Sequence, residues 1–133
     1  MEPPPFVDTN VLVRHITGDP PELARRATRY LASARALLLL DLVVAEFAYV
    51  LKSVYGLPRA EIGVALRALL GLPAIRAVDH DLLHRSIEIF EHDRVGFVDA
   101  YLVASAERSG VKRVVSFDRS IDRVKTVTRI EPA

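Results

Sequence analysis

Short apolar runs alternate along this chain with longer segments of helical period. The first run, Phe6-Val7, follows a proline-rich lead-in. The run at 37–40 is four leucines without a polar break, the pattern of a strand buried on both faces. Residues 75–78 and 113–117 read as further strands, and 126–130 alternates like a strand at a sheet edge. Between these runs the 3.6-residue period predicts helices at 9–17, 21–33, 41–55, 58–70, 80–91 and 97–109. The punctuation agrees. Gly18-Asp19-Pro20 ends the first helix, and Pro21 opens the second where a missing N–H costs least. Asp41 and Asp79 are suited to cap the helices after them. Gly56-Leu57-Pro58 and Gly71-Leu72-Pro73 are stops, and Gly110 is a C-cap signal. Strands separated by helices imply right-handed crossovers, so an α/β fold with a central, mainly parallel sheet of about five strands is expected. No repeat, low-complexity tract or linker interrupts the chain, so 1–133 is expected to be a single domain.

Ligands of such sheets bind beyond the carboxyl ends of the strands. Asp8 and Asp118 end the first strand and the last strong one. Each is also placed to cap the segment after it, and capping is the simpler account of either alone. Glu46 is harder to explain that way. Its helical neighbours at three and four residues are Leu42, Val43, Tyr49 and Val50, all apolar, where an unpaired Glu is rare unless an Arg is buried with it. Asp99 lies near the start of an Ala-rich helix, close to the positive end of its dipole. The expectation is that Asp8, Glu46, Asp99 and Asp118 gather at one sheet edge in partly buried positions, where acids repel unless a cation neutralises them. Hard oxygen donors select Mg2+ or Mn2+. Thr9, Asn10 and Ser116 are small polar groups beside the acids, placed to hydrogen-bond carboxylates or a water. Asp41 reads as a helix cap and Asp122 as a surface residue.

Composition narrows the chemistry. Without cysteine there is no disulfide, Cys-ligated zinc or thiol nucleophile. The first residues, Met1-Glu2-Pro3-Pro4-Pro5, lack the basic and apolar regions of a signal peptide, and no apolar run reaches the ~20 residues of a membrane span. A soluble cytoplasmic protein with no membrane partner is the expectation. A net charge of +1 gives no strong nucleic-acid signal, yet 15 of the 18 basic residues are Arg, which grips phosphate bidentately. His80 and His84 are four apart on a helix, near the HExxH zinc pattern, but Asp81 stands where its Glu would be; a solvated helix face is the better account. His15 has no evident catalytic partner.

The acidic motifs, taken in order, resemble a known family. Val7-Asp8-Thr9-Asn10-Val11-Leu12, then Ala45-Glu46-Phe47 with Val50-Leu51, then Phe97-Val98-Asp99-Ala100, then Ser116-Phe117-Asp118 are similar to the successive motifs of PIN domains, most closely the small VapC-type toxins of toxin–antitoxin pairs. The resemblance implies a three-layer α/β/α sandwich and a Mg2+- or Mn2+-dependent endoribonuclease. It makes Asp8, Glu46, Asp99 and Asp118 the acidic metal-binding residues, with Asn10 and Ser116 as the polar residues beside them. It implies an RNA substrate, a cognate antitoxin protein and a homodimer. Asp41 departs from the small or hydroxyl residue expected at its position. Two rival readings remain: a catalytically silent RNA- or protein-binding module on the same fold, and a receiver-like phosphotransfer domain. A receiver wants a Lys at a late strand end, where Ser116-Phe117-Asp118 supplies none.

Overall fold

The computed structural model describes residues 2–133. They pack as two compact units, the first ending at Val78 and the second spanning Asp79–Ala133.

In the first unit, strand β1 (Leu37–Leu39) pairs in parallel with β2 (Ile75–Ala77), Leu37 opposite Ile75. Phe6 forms a lone parallel bridge to Leu38 on the other side, where Val7 N–H donates to the Leu38 carbonyl at 3.1 Å. Helices α1 (Thr9–Thr17), α2 (Pro21–Ser33), α3 (Asp41–Ser53) and α4 (Arg59–Leu70) complete the unit. The core takes Leu12 from α1, Leu37 and Leu39 from β1, Val44, Phe47 and Leu51 from α3, and Leu66 and Leu69 from α4, all essentially without exposure. Each fully buried side chain of this size contributes about 1.5–3 kcal/mol. On α3 the buried positions are 44, 47, 48 and 51, a single stripe at helical spacing.

In the second unit, α5 (His80–His92) packs on α6 (Phe97–Ser109), with the Phe90 and Phe97 rings edge-on, centroids 6.2 Å apart. Strand β3 (Arg113–Val115) pairs in parallel with β4 (Thr128–Ile130), and the 3-10 helix Arg119–Arg123 lies between them in sequence. Leu83, Ile87, Val103 and Ile121 are the centre of this core. Arg85 grips Glu107 through two hydrogen bonds of 2.8 and 2.9 Å, and Thr126 also donates to Glu107.

The helices form where the period places them, with ends within two residues. Two expectations change. A single sheet of about five strands does not form: the described strands make two separate two-stranded sheets, and the Phe6 segment contributes only its bridge. The α/β character and the parallel pairing stand. The strands are three residues each, too short to build the wide ladder that their number suggested. β3 buries Val114 alone, leaving Val115 66% exposed, so it is not an element covered on both faces. The chain turns away after it, because the Ser116 hydroxyl accepts the Asp118 N–H at 2.9 Å. The second change concerns Asp41, which does not cap α3. Leu40 keeps extended dihedrals at the N-cap position, so Asp41 is already the first helical residue, an acid in the first turn near the positive helix end. Asp79 does cap α5, accepting the Leu82 N–H at 3.0 Å. Arg108 also grips Asp79, so its carboxyl is held below the usual range, first by the Leu82 N–H and then by Arg108.

Candidate metal centre

Gly96 enters α6 with extended dihedrals, and the helix places Asp99 in its first turn while Phe97, Ala100, Val103 and Ala104 face the core. Asp99 is therefore half-buried at the rim of that core. Asp118 lies beyond β3 and caps the 3-10 helix, accepting the Ser120 N–H at 2.9 Å. Its own N–H is tied to Ser116, so the carboxylate is oriented from both sides. The capping account of Asp118 is thus real, and it coexists with a contact to Asp99.

The two carboxyl groups influence each other's titration. Burial pushes the Asp99 carboxyl above the usual carboxylate range, and its hydrogen bond to Asp118 and the charge there push it the same way. Asp118 moves the opposite way: hydrogen bonding from Ser120 is the largest cause, and the bond from Asp99 adds to it. Neighbouring carboxylates disfavour each other's charge, and their hard oxygens are donors that Mg2+ or Mn2+ accepts.

The other two acids belong to the first unit. Asp8 stands at the N-cap position of α1, yet its carboxylate makes no capping hydrogen bond. It is exposed and has no side-chain partner among the described residues, so capping does not account for it. Glu46 is exposed too. Its expected burial is corrected: Leu42 and Tyr49, 78% and 66% exposed, share its side of α3, opposite the buried stripe. Two of the four apolar neighbours that suggested a buried Glu are themselves at the surface, and Val43 and Val50 are only half-buried. Asp99 alone of the four is partly buried.

Thr9, next to Asp8, is 3% exposed, and its hydroxyl is buried without a hydrogen-bond partner. An orphaned buried hydroxyl is uncommon in a folded chain. Asn10 is exposed. Asp122 is committed elsewhere, gripped by Arg129 at 3.0 and 3.1 Å, which is the surface role expected of it. His80 and His84 are exposed with ring centroids 5.7 Å apart, as a solvated helix face requires, and the described residues hold no group of three or more His, Cys, Asp or Glu side chains arranged to hold a metal. His15 is engaged with Thr28, Nδ1 to Oγ1 at 2.8 Å. Sequence reasoning passed over Arg25 and Arg29, which line a groove with His15; their spacing of four on a predicted helix was the available signal.

The PIN domain family model matches residues 6–127, a span that includes nearly all of both units. No curated protein matches the chain. Among solved structures, the crystal structure of Mycobacterium tuberculosis VapC20, a Sarcin-Ricin loop cleaving toxin, is similar to 96% of this chain over 99% of its own, at 23% identity and a TM-score of 0.44. No described helix is long and apolar enough to cross a membrane.

Proposed function

The chain belongs to the PIN domain family, and on that premise we propose that it is a Mg2+- or Mn2+-dependent endoribonuclease, a VapC-type toxin in one nuclease domain. The observation that carries this reading is the pairing of Asp99 and Asp118 at two of the acidic motifs, one carboxyl pushed above the usual range and the other below it, each in part by its partner. By family resemblance, Asp8 and Glu46 are also assigned to metal binding. Among the described residues neither has a protein partner, which supports the assignment, because a carboxylate held by an Arg or a capping N–H is less available to a cation.

When bound, the ion supplies Lewis acidity, lowering the pKa of a water and offsetting charge on the phosphodiester. The residues do the rest. Asp118 is held in one orientation by Ser116 and Ser120. Asp99 and Asp118 would hold the cation through their carboxylate oxygens. Thr9, buried beside Asp8, has a free hydroxyl for a ligand or a water, with Asn10 next to it. Attack by water on phosphorus, with the 3′ oxygen leaving, produces 5′-phosphate and 3′-hydroxyl ends. Chemistry through the RNA 2′-hydroxyl would produce a cyclic phosphate instead.

End-group analysis of cleaved single-stranded RNA tests the reading. It requires 5′-phosphate termini that form with Mn2+ or Mg2+; cyclic phosphate ends would sink it. A toxin also needs restraint in the cell, so a cognate antitoxin is part of the proposal, with a cytoplasmic homodimer as its assembly. A basic side chain of the antitoxin, most simply Arg, would neutralise the acids. Expression of the chain alone should arrest growth, and co-expression with the neighbouring gene should restore it. Harmless accumulation of folded protein would remove the toxin assignment.

A further inference from the structure

Within the first unit, a groove of 530 Å3 opens between α1 and α2, lined by His15, Gly18, Pro21, Arg25, Thr28 and Arg29. A neighbouring groove of 360 Å3 shares His15 and Thr28 and adds the apolar side chains of Leu31, Leu72 and Pro73. Helix α2 buries Ala24, Ala27 and Leu31 and leaves Arg25 and Arg29 exposed, one turn apart on the same face. Neither guanidinium has a hydrogen-bond or ion-pair partner among the described residues. In the second unit Arg85, Arg108 and Arg129 are each paired with a carboxylate.

The local charge matches. Between residues 14 and 35 the chain carries five Arg (14, 25, 26, 29 and 35) against Asp19 and Glu22, a balance of +3, while the whole chain carries +1. Asp19 accepts the Tyr55 hydroxyl at 2.9 Å rather than an Arg. Unpaired guanidinium groups beside an open groove suit an anion held bidentately, and a groove with apolar side chains alongside suits a ligand that alternates phosphate with flat bases.

We propose that the α1–α2 groove is a phosphate-binding subsite for the backbone of single-stranded RNA, with Arg25 and Arg29 as the contacting residues. The proposal rests on the ribonuclease reading and extends it to where the substrate lies. Helix α1 rises about 1.5 Å per residue, so His15 is about 10 Å along it from Asp8. The groove therefore takes RNA flanking the scissile bond, and its contribution grows with substrate length.

The test measures fluorescence anisotropy of a labelled single-stranded oligoribonucleotide in EDTA, where binding is read without cleavage. R25A/R29A should bind at least about tenfold more weakly. Its dependence of log K on log salt should be shallower by about 1.4, the value for two lost phosphate contacts on a single strand. R25K/R29K, which keeps the charge but loses the planar fork, should fall between. Thermal melts of both variants check folding, which exposed positions leave intact. In a separate assay, Mn2+-dependent cleavage of a dinucleotide, too short to reach the groove, should be equal in wild type and R25A/R29A. Loss of dinucleotide cleavage by wild type would count against the nuclease reading, while the anisotropy result still decides the groove. Unchanged RNA affinity and salt slope in R25A/R29A, or no RNA binding by wild type, overturns the subsite. So does unchanged RNA affinity with loss of binding to polyglutamate, which would make the groove a seat for an acidic protein segment.

Discussion

The Asp99–Asp118 pair stands where a divalent cation is proposed, and it is testable without RNA. Asp99→Asn removes a half-buried acid that resists ionising. The metal-free variant should melt no lower than wild type near neutral pH, and Mn2+ should raise its melting temperature less. For wild type, Mn2+ at a hundredfold excess over its dissociation constant should add about 2.7 kcal/mol of stability. Equal Mn2+ shifts in the two proteins would take Asp99 out of the metal site. At this scale the sequence was legible in part. Asp118 was readable as both cap and candidate ligand, and the structure gives it a cap bond and an acid partner together. Glu46 was misjudged in burial, because identical apolar letters mark the core stripe of α3 and its exposed face. Only the packing of α1 and α4 on that helix decides between them.

Helices were the most legible elements, since their signals are local: period, proline at the start, glycine at the end. Gly18 and Gly110 adopt φ of +72° and +80°, the left-handed C-cap geometry that their positions suggested. An added Cβ at Gly110 meets no atom within 4 Å, so the cost of substitution is backbone strain alone. Gly110→Ala should lower stability by about 1 kcal/mol in denaturant unfolding; no loss would contradict the left-handed cap. The link between α5 and α6 was not legible, because Arg85 and Glu107 are far apart in sequence. Arg85 is the main cause that holds the Glu107 carboxyl below its ordinary value, with Thr126 assisting. A carboxyl lowered by folding contributes stability above its unfolded pKa, and loses it as pH falls through the lowered folded value. Glu107→Gln should therefore cost about 1 kcal/mol at pH 7, given partial solvent screening, and progressively less in acid below pH about 4.5. Urea unfolding of both proteins across that range reads the convergence; a constant difference would rule out the charged pair as its source.

Across the whole molecule, the α/β class and parallel pairing followed from alternation, but the sheet did not. Which strands pair is a non-local outcome, and three-residue segments such as β3 and β4 carry too little pattern to declare their neighbours. The acidic motifs were readable because most lie at an element end: Asp8 before α1, Asp99 in the first turn of α6, Asp118 after β3. The arginine groove was not, since lining a cavity and lacking a partner are properties of the folded unit rather than of the letters. The central claim is that these acids work through a divalent cation on RNA. It is tested most directly by following cleavage of a fluorescent single-stranded RNA by wild type and Asp99→Asn, each in Mn2+ and in EDTA. The account predicts cleavage by wild type in Mn2+, none in EDTA, and none by folded Asp99→Asn in either. Full cleavage in EDTA, or wild-type rates from Asp99→Asn, would contradict it.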